Sequence, residues 1–449
     1  MARSTNRRAV RWLRTQLPEL VATGAISTDN ATAIERHYAA EEAESHNLGF
    51  ILLAIVGSVM VAAGVILIIA HNWDDLSRPT RSVLAFLPLI VAQALALFVL
   101  LRRDESQAAR ESVAIFDVAA VAAAIALISQ TYQIQGSFAD FMQLWLILSI
   151  LIIYIFRSTF GAIAYIVGSV VWLFARGVWA FNDPGHLFFW LFLLAIVPYY
   201  VLHLRRDRFS REVTALSIFL LAAICVGLEF AVESTRANLG GLAYAGLFAA
   251  VYLCGIRFFQ RDENRLSALA LLGGIGIGVM SIVLSFESMW HMTTDASRAV
   301  SGMARGIAIA IQLFFPAIAV AILIWDYAKR RRITFSIAAG ALPLVAGLAW
   351  LIANLAPATQ RAQDTPYSLV AALIFDLYAL LLGIELLVRG VRANSVARAN
   401  FGLLIIAALT IARFFDSDLT FLTRGLGFIV VGVGFFVANI VFFKKRAAT

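Results

Sequence analysis

The sequence predicts an all-α fold: a polytopic bundle of about fourteen transmembrane helices with the N- and C-termini on the cytoplasmic side. Two observations carry this. The chain of 449 residues is 61% hydrophobic and only 14% charged, with a mean hydropathy of +0.84, well outside the composition of soluble globular domains. Its apolar residues also form long continuous runs, and a helix needs about 20 mostly apolar residues to cross a hydrocarbon core of about 30 Å. Because no water reaches that core, only helices or closed barrels can span it. Unbroken runs, rather than short alternating ones, select helices.

The runs cover residues 48–70, 82–101, 112–130, 141–156, 158–177, 187–204, 212–232, 238–259, 266–286, 304–326, 333–354, 367–388, 396–413 and 420–443. The fourth is short and abuts Arg157-Ser158-Thr159, which predicts a tight hairpin with the fifth. If the N-terminus is cytoplasmic, the inner segments hold 27 of the 36 Lys and Arg and the outer segments hold nine. Such an excess marks the cytoplasmic side of membrane proteins. The net charge of +8 therefore reads as an electrostatic match to an anionic inner leaflet, and nucleic acid is excluded as a partner. Membrane lipids are the expected partners, with a small-molecule or lipid-linked substrate as the further candidate. The setting is a multi-pass protein of the bacterial inner membrane.

The N-terminal 47 residues are polar, so no secretory signal precedes the first run and that run is retained. They form the only candidate extramembrane domain (1–47), ahead of the bundle (48–443) and a short basic tail (444–449). Val10, Leu13 and Leu17 recur on one helical face and Arg7, Arg11 and Arg14 on another, an amphipathic basic helix expected to end at Pro18 or soon after. Gly24 marks a turn, and Ser27 or Thr28 offers an N-cap to a second helix carrying Ile34 and Tyr38. The hairpin reads either as a cap on the bundle or as a lipid- or partner-binding surface.

Particular residues also resemble a known family. The two-helix start carries Trp12, Leu20 and Gly24-Ala25-Ile26-Ser27, and the first run exits through His71-Asn72-Trp73-Asp74-Asp75. Ser129-Gln130-Thr131-Tyr132-Gln133-Ile134-Gln135-Gly136 precedes Leu144-Trp145. Together these resemble the bacterial predicted-membrane-protein family called domain-of-unknown-function family 2157, mainly over residues 7–200. Arg413-Phe414-Phe415-Asp416, Arg424-Gly425-Leu426-Gly427-Phe428 and Asn439 resemble the tails of such proteins. The resemblance implies a bacterial inner-membrane setting and carries no catalytic residue or cofactor with it.

Ionisable groups inside a bilayer cost roughly 2.5–3.5 kcal/mol on insertion scales, so each is a functional candidate. Asp376, about ten residues into the twelfth run, and Asp117, about six into the third, are the two intramembrane carboxylates singled out. Proton or cation coupling is one reading, with desolvation raising the carboxyl pKa. The other is a carboxyl bonded to a neighbouring helix through Gln93, Gln312, Tyr378 or an Asn. At the outer rim, Trp73, Asp74 and Arg81 in the first outer turn, with Arg413, Asp416 and Arg424 in the last, share an aromatic–Asp–Arg order. This order suggests either two walls of a periplasmic pocket or interfacial anchors with ordinary salt bridges. Arg176, Asp183, His186, Glu229, Glu287, His291 and Asp295 lie at the same level without a motif.

Other signals lead to no chemistry. Gly273-Gly274-Ile275-Gly276-Ile277-Gly278 has no preceding strand, so a phosphate loop is excluded. Gly274 and Gly278 have the spacing that lets helices approach closely, and a broken helix there is the alternative. Lys329-Arg330-Arg331-Arg332 is a positive-inside stop. Cys225 and Cys254 both fall in apolar runs and read as packing residues. No metal or other cofactor is expected, since the histidines are scattered and no Cys/His ligand spacing occurs; no serine-hydrolase elbow is present either. Three functions fit. A transporter or flippase-like protein with a polar intramembrane pathway through Asp376 leads. A membrane-embedded enzyme acting on a lipid-linked substrate at the periplasmic face, and a non-catalytic structural or regulatory protein, are the alternatives.

The topology has a direct consequence. In a background lacking Cys225 and Cys254, single cysteines at Ser137 and Asp364 should react with an impermeant thiol reagent added from outside the inner membrane. Cysteines at Ser106 and Ser395 should react only after the membrane is opened, and reversal of either pair would mean a miscounted helix.

Overall fold

The computed structural model describes residues 7–34, 75–102, 107–177, 184–235, 239–259, 267–290, 302–330, 335–355, 366–393, 395–416 and scattered positions from 425 to 436. The first and last apolar runs, 48–70 and most of 420–443, lie outside the described residues. Those that are described form helices: α1 (Arg7–Ala22), α2 (Arg78–Arg102), α3 (Gln107–Tyr132), α4 (Phe138–Phe156), α5 (Thr159–Ala175), α6 (Phe188–Arg206) and α7 (Arg211–Thr235). There follow α8 (Gly240–Phe258), α9 (Ala268–Val283), α10 (Gly302–Arg330), α11 (Phe335–Gly340), α12 (Leu342–Ala353), α13 (Pro366–Arg392) and α14 (Val396–Asp416). Nine are long and apolar enough to cross a membrane, and α5, α9 and α12 are shorter apolar helices. Counting α11 and α12 as one broken span gives twelve of the predicted runs among the described residues, in the predicted order.

The chain divides into two compact units, residues 1–84 and 85–449. In the first, α1 runs through Pro18 and ends at Ala22, soon after the proline. Proline lacks only its own N–H, and the helix ends a turn later at Gly24, whose φ of 72° is costly for a residue with a side chain. Ser27 then caps the next helix, its hydroxyl accepting from the Asn30 N–H at 3.2 Å.

In the second unit the predicted hairpin of α4 and α5 turns in two residues. Arg157 adopts the left-handed conformation that closes α4, and Ser158 caps α5 by accepting from Gly161 N–H at 2.9 Å. The motif at the end of α3 is likewise a helix stop and start. Gln133 takes a positive φ of 50°, Ile134 N–H donates back to Ser129 C=O at 2.9 Å, and Ser137 with Asp140 forms a reciprocal capping box on α4.

Five apolar clusters form among the described residues, and two are the largest. One packs α4, α5, α6 and α7 around Leu146, Tyr165, Trp172, Phe189 and Ile196. The other packs α8, α9 and α11 to α14 around Tyr252, Ile277, Leu342, Phe375 and Ile405. The glycine-rich α9 is continuous, so no helix break occurs there. Its close approach to α8 uses Gly273, pressed on the Tyr252 backbone, and Gly276, under the Phe248 ring, with Gly255 of α8 against Ala270. A Cβ added at Gly274 or Gly278 would meet nothing closer than 3.5 Å, so the close approach expected from their spacing is made by Gly273 and Gly276 instead.

The break falls instead between α11 and α12, at Ala341 just before Pro343. Pro343 has no N–H for the carbonyl of Ala339, four residues back. Tyr378 of α13 fills the gap, its hydroxyl donating to Ala339 O at 2.9 Å with Ala338 O at 3.2 Å. Next to Pro198 in α6, Tyr154 of α4 enters the ladder itself, between Ala195 and Tyr199: its hydroxyl accepts from Tyr199 N–H at 3.2 Å and donates to Ala195 O at 2.7 Å. In hydrocarbon an orphaned carbonyl has no water to turn to. Tyr154→Phe and Tyr378→Phe should therefore each destabilise the protein by about 1–2 kcal/mol, read as a lower midpoint of detergent-induced unfolding. Tyr367→Phe, at the exposed start of α13, should leave the midpoint unchanged.

Candidate functional site

Polar side chains inside the second unit gather at three places. The first is Asp117 on α3 with Gln93 on α2. The Gln93 amide donates to both carboxylate oxygens, at 2.9 and 3.1 Å, and Asp117 is 1% exposed. At a rise of about 1.5 Å per residue, both lie about 15 Å from the basic ends of their helices, well inside the span. Gln93, expected as a possible partner for an intramembrane carboxyl, is that partner.

This pair lines a groove of about 650 Å3 bounded by α2, α3 and α4. The rest of its wall is apolar except for Ser129, with Leu97, Leu148, Leu151 and Ile155 largely exposed along it. Trp145 of α4 links the neighbouring helices. Its indole N–H donates to Val118 C=O of α3 at 2.9 Å. Its ring lies over Gly168 of α5, where any side chain would overlap it. The indole thus connects α3, α4 and α5.

The second place is Asp376 with Arg413. The guanidinium Nε of Arg413, on α14, lies 3.1 Å from Asp376 Oδ1 on α13, with about a quarter of each side chain exposed. Arg413 also donates to the Ser285 backbone carbonyl and, at 2.9 Å, to its hydroxyl, and lies over the Phe286 ring at 5.3 Å. Asp376 thus meets a cation from the next helix. Gln312 and Tyr378 are bound elsewhere, Gln312 to Ala231 O and Thr235 Oγ1 on α7 at 2.8 and 2.9 Å. Beside the ion pair, Glu287 accepts from Ser368 at 2.6 Å, and Trp290 donates to Leu284 O while stacking on Phe375. The loop after α9 is thereby folded down onto α13.

The third is Glu111, 8% exposed near the basic end of α3. It accepts from the Ser158 hydroxyl, from Thr159 N–H at 2.8 Å and from Phe160 N–H at 3.2 Å. A carboxylate over the unpaired N–H groups of a helix start complements both their hydrogen bonding and the helix dipole. Glu111 was not picked out from sequence, because it sits in a polar loop flank. The turn it binds, Ser158-Thr159, was visible there as a tight hairpin.

Of the rim candidates, Trp73, Asp74, Arg424 and the side chain of Asp416 lie outside the described residues. Arg81 donates to the Leu76 carbonyl at 3.0 Å, within its own turn. Arg413 is drawn inward to Asp376 and Ser285. Among the described residues, no group of three or more His, Cys, Asp or Glu could hold a metal ion.

The segment with the helix-stop motif and Trp145 is also the one with relatives. Residues 18–162 match the family described as Predicted membrane protein (DUF2157). No curated protein and no solved structure matches the chain. The matched segment contains Gln93, Asp117, Glu111 and Trp145, so the groove is made almost wholly from the part of the chain that resembles the family. It ends before Asp376 and Arg413.

The ion pair should behave as a coupled unit. In a double-mutant cycle with Asp376→Asn and Arg413→Gln, the two stability losses should fall short of additivity by about 1–3 kcal/mol, measured by detergent-induced unfolding. Additive losses would show that each side chain acts through other neighbours.

Proposed function

We propose that this multi-pass membrane protein is flippase-like, in the bacterial inner membrane, and that the groove between α2, α3 and α4 is the path of a lipid. The observation that carries the reading is the groove itself: about 650 Å3, within the range of about 300–1,000 Å3 typical of ligand sites. Its wall is apolar apart from Ser129 and one amide–carboxylate pair well inside the span.

The physics of a bilayer makes that pair the informative part. Apolar walls alone cannot attract a lipid tail, because the surrounding tails are just as apolar. The obstacle to lipid movement is the polar head, which must pass through hydrocarbon. Gln93 and Asp117 offer both donors and acceptors at that depth, and so a station where a head group can exchange water for protein partners. The exposed Leu148 and Leu151 flank leaves the tail in the membrane while the head travels along the groove. Asp376, the leading pathway residue from sequence, is held by Arg413 in the other core, and in this reading it serves packing rather than transport.

In proteoliposomes with a fluorescent lipid, the wild type should make inner-leaflet label accessible to an added quencher. Leu97→Trp and Leu148→Trp, which fill the groove from its exposed wall, should slow this several-fold without lowering the unfolding midpoint. Asp117→Leu should slow it further. If both tryptophan variants move lipid as fast as the wild type, the groove is not the path.

A further inference from the structure

The basic end of the bundle contains a second hollow that the groove reading does not use. Helix α6 finishes with Arg205 and Arg206, and the turn to α7 adds Asp207, Arg208 and Phe209. These residues overhang a space of about 920 Å3 whose floor is built from α8 and α10, including Val251, Phe315 and Ile318. The shape is held from both sides. Arg208 donates to the Phe258 carbonyl at the end of α8 at 3.3 Å, which ties the turn across the opening. Asp207, the acidic residue among the described lining of the hollow, folds its carboxylate back to accept from Phe209 N–H at 2.9 Å. The three arginines are exposed. Arg206 also lines a smaller hollow of about 240 Å3 with Arg157 and His203, so cationic surface continues around the end of α6.

We propose that the larger hollow is a binding site for an anionic phospholipid, with its phosphodiester on Arg205, Arg206 and Arg208 and an acyl chain over the apolar floor. Charge complementarity favours this occupant. Guanidinium groups present planar pairs of donors that match phosphate oxygens, and basic pockets between helices at the cytoplasmic face are suited to anionic head groups. By the distribution of Lys and Arg along the chain, this is the cytoplasmic end. A free phosphate would satisfy the arginines but leave the aromatic and aliphatic floor uncovered. A lipid satisfies both. The site is separate from the groove and does not depend on lipid being moved.

Cys254 lines the same hollow and serves as a native reporter. The test uses the full chain with Cys225→Ser, so that Cys254 is the single thiol, in phosphatidylcholine nanodiscs with or without phosphatidylglycerol. Phosphatidylglycerol should slow N-ethylmaleimide labelling of Cys254 several-fold, and native mass spectrometry should find it retained in preference to phosphatidylcholine. Both effects should be lost in the triple variant Arg205→Gln, Arg206→Gln, Arg208→Gln. Both should also be lost in Val251→Trp, which fills the floor and leaves every charge in place. The control triple Arg330→Gln, Arg331→Gln, Arg332→Gln should keep them. Retention of both effects in Val251→Trp, or their equal loss in the control triple, would overturn the site in favour of general surface charge. Equal protection by inorganic phosphate in phosphatidylcholine discs would overturn the lipid assignment.

Discussion

The structure depends on one constraint: in hydrocarbon, every backbone N–H and C=O must find a partner within the protein. Regular helices meet it by themselves, and the points where they cannot are the points where helices are pinned together. Pro343 interrupts a hydrogen-bond ladder and Tyr378 from another helix takes the freed Ala339 carbonyl, while beside Pro198 Tyr154 bridges Ala195 C=O and Tyr199 N–H. The start of α5 leaves unpaired N–H groups, and Glu111 from α3 covers them. The end of α9 leaves the Ser285 carbonyl, and Arg413 from α14 reaches it. Each repair is a long-range bond between specific atoms, so it fixes the register of two helices as well as their distance.

With register fixed by these bonds, small residues can set distance. Apolar packing is nearly neutral between protein and lipid, so helices gain by bringing backbones close. Gly255, Gly273 and Gly276 do this between α8 and α9, and Gly390 and Gly402 do it between α13 and α14. Trp145 does the opposite. Its ring lies over Gly168 and its N–H is bonded to α3, so it holds three helices at a set spacing.

This division explains why the two intramembrane carboxylates differ. Asp376 has a cation beside it, Arg413, which also binds Ser285. Its role there is to tie α13 to α14 and to the loop after α9. Asp117 has only the neutral amide of Gln93 across a groove. A carboxylate shared with one amide keeps acceptor capacity for a third group, whereas an ion-paired one inside a packed core has its geometry already committed. That difference in partners, rather than depth in the membrane, is what makes Asp117 the stronger candidate for meeting a ligand.

The sequence alone determined that the chain is a helical membrane protein, the order of its spans, the α4–α5 turn and the resemblance over its N-terminal third. These follow from local properties, since apolar length, capping residues and charge in short loops act within a few residues of themselves. It also marked Asp117 and Asp376, because a carboxylate in an apolar run is conspicuous whatever surrounds it. Tertiary structure decided which partner each one has. Gln93 and Arg413 lie 24 and 37 residues away from them, on helices whose rotation no local pattern specifies. It also decided that Gly273 and Gly276, rather than Gly274 and Gly278, make the close approach to α8, because the side of a helix turned to a neighbour depends on what that neighbour offers. The groove and the basic hollow belong to the same class. A cavity is a property of the spacing between helices, and in a bilayer that spacing is set by a few long-range bonds and wedges such as Tyr154, Tyr378 and Trp145, whose partners lie beyond the reach of any local pattern.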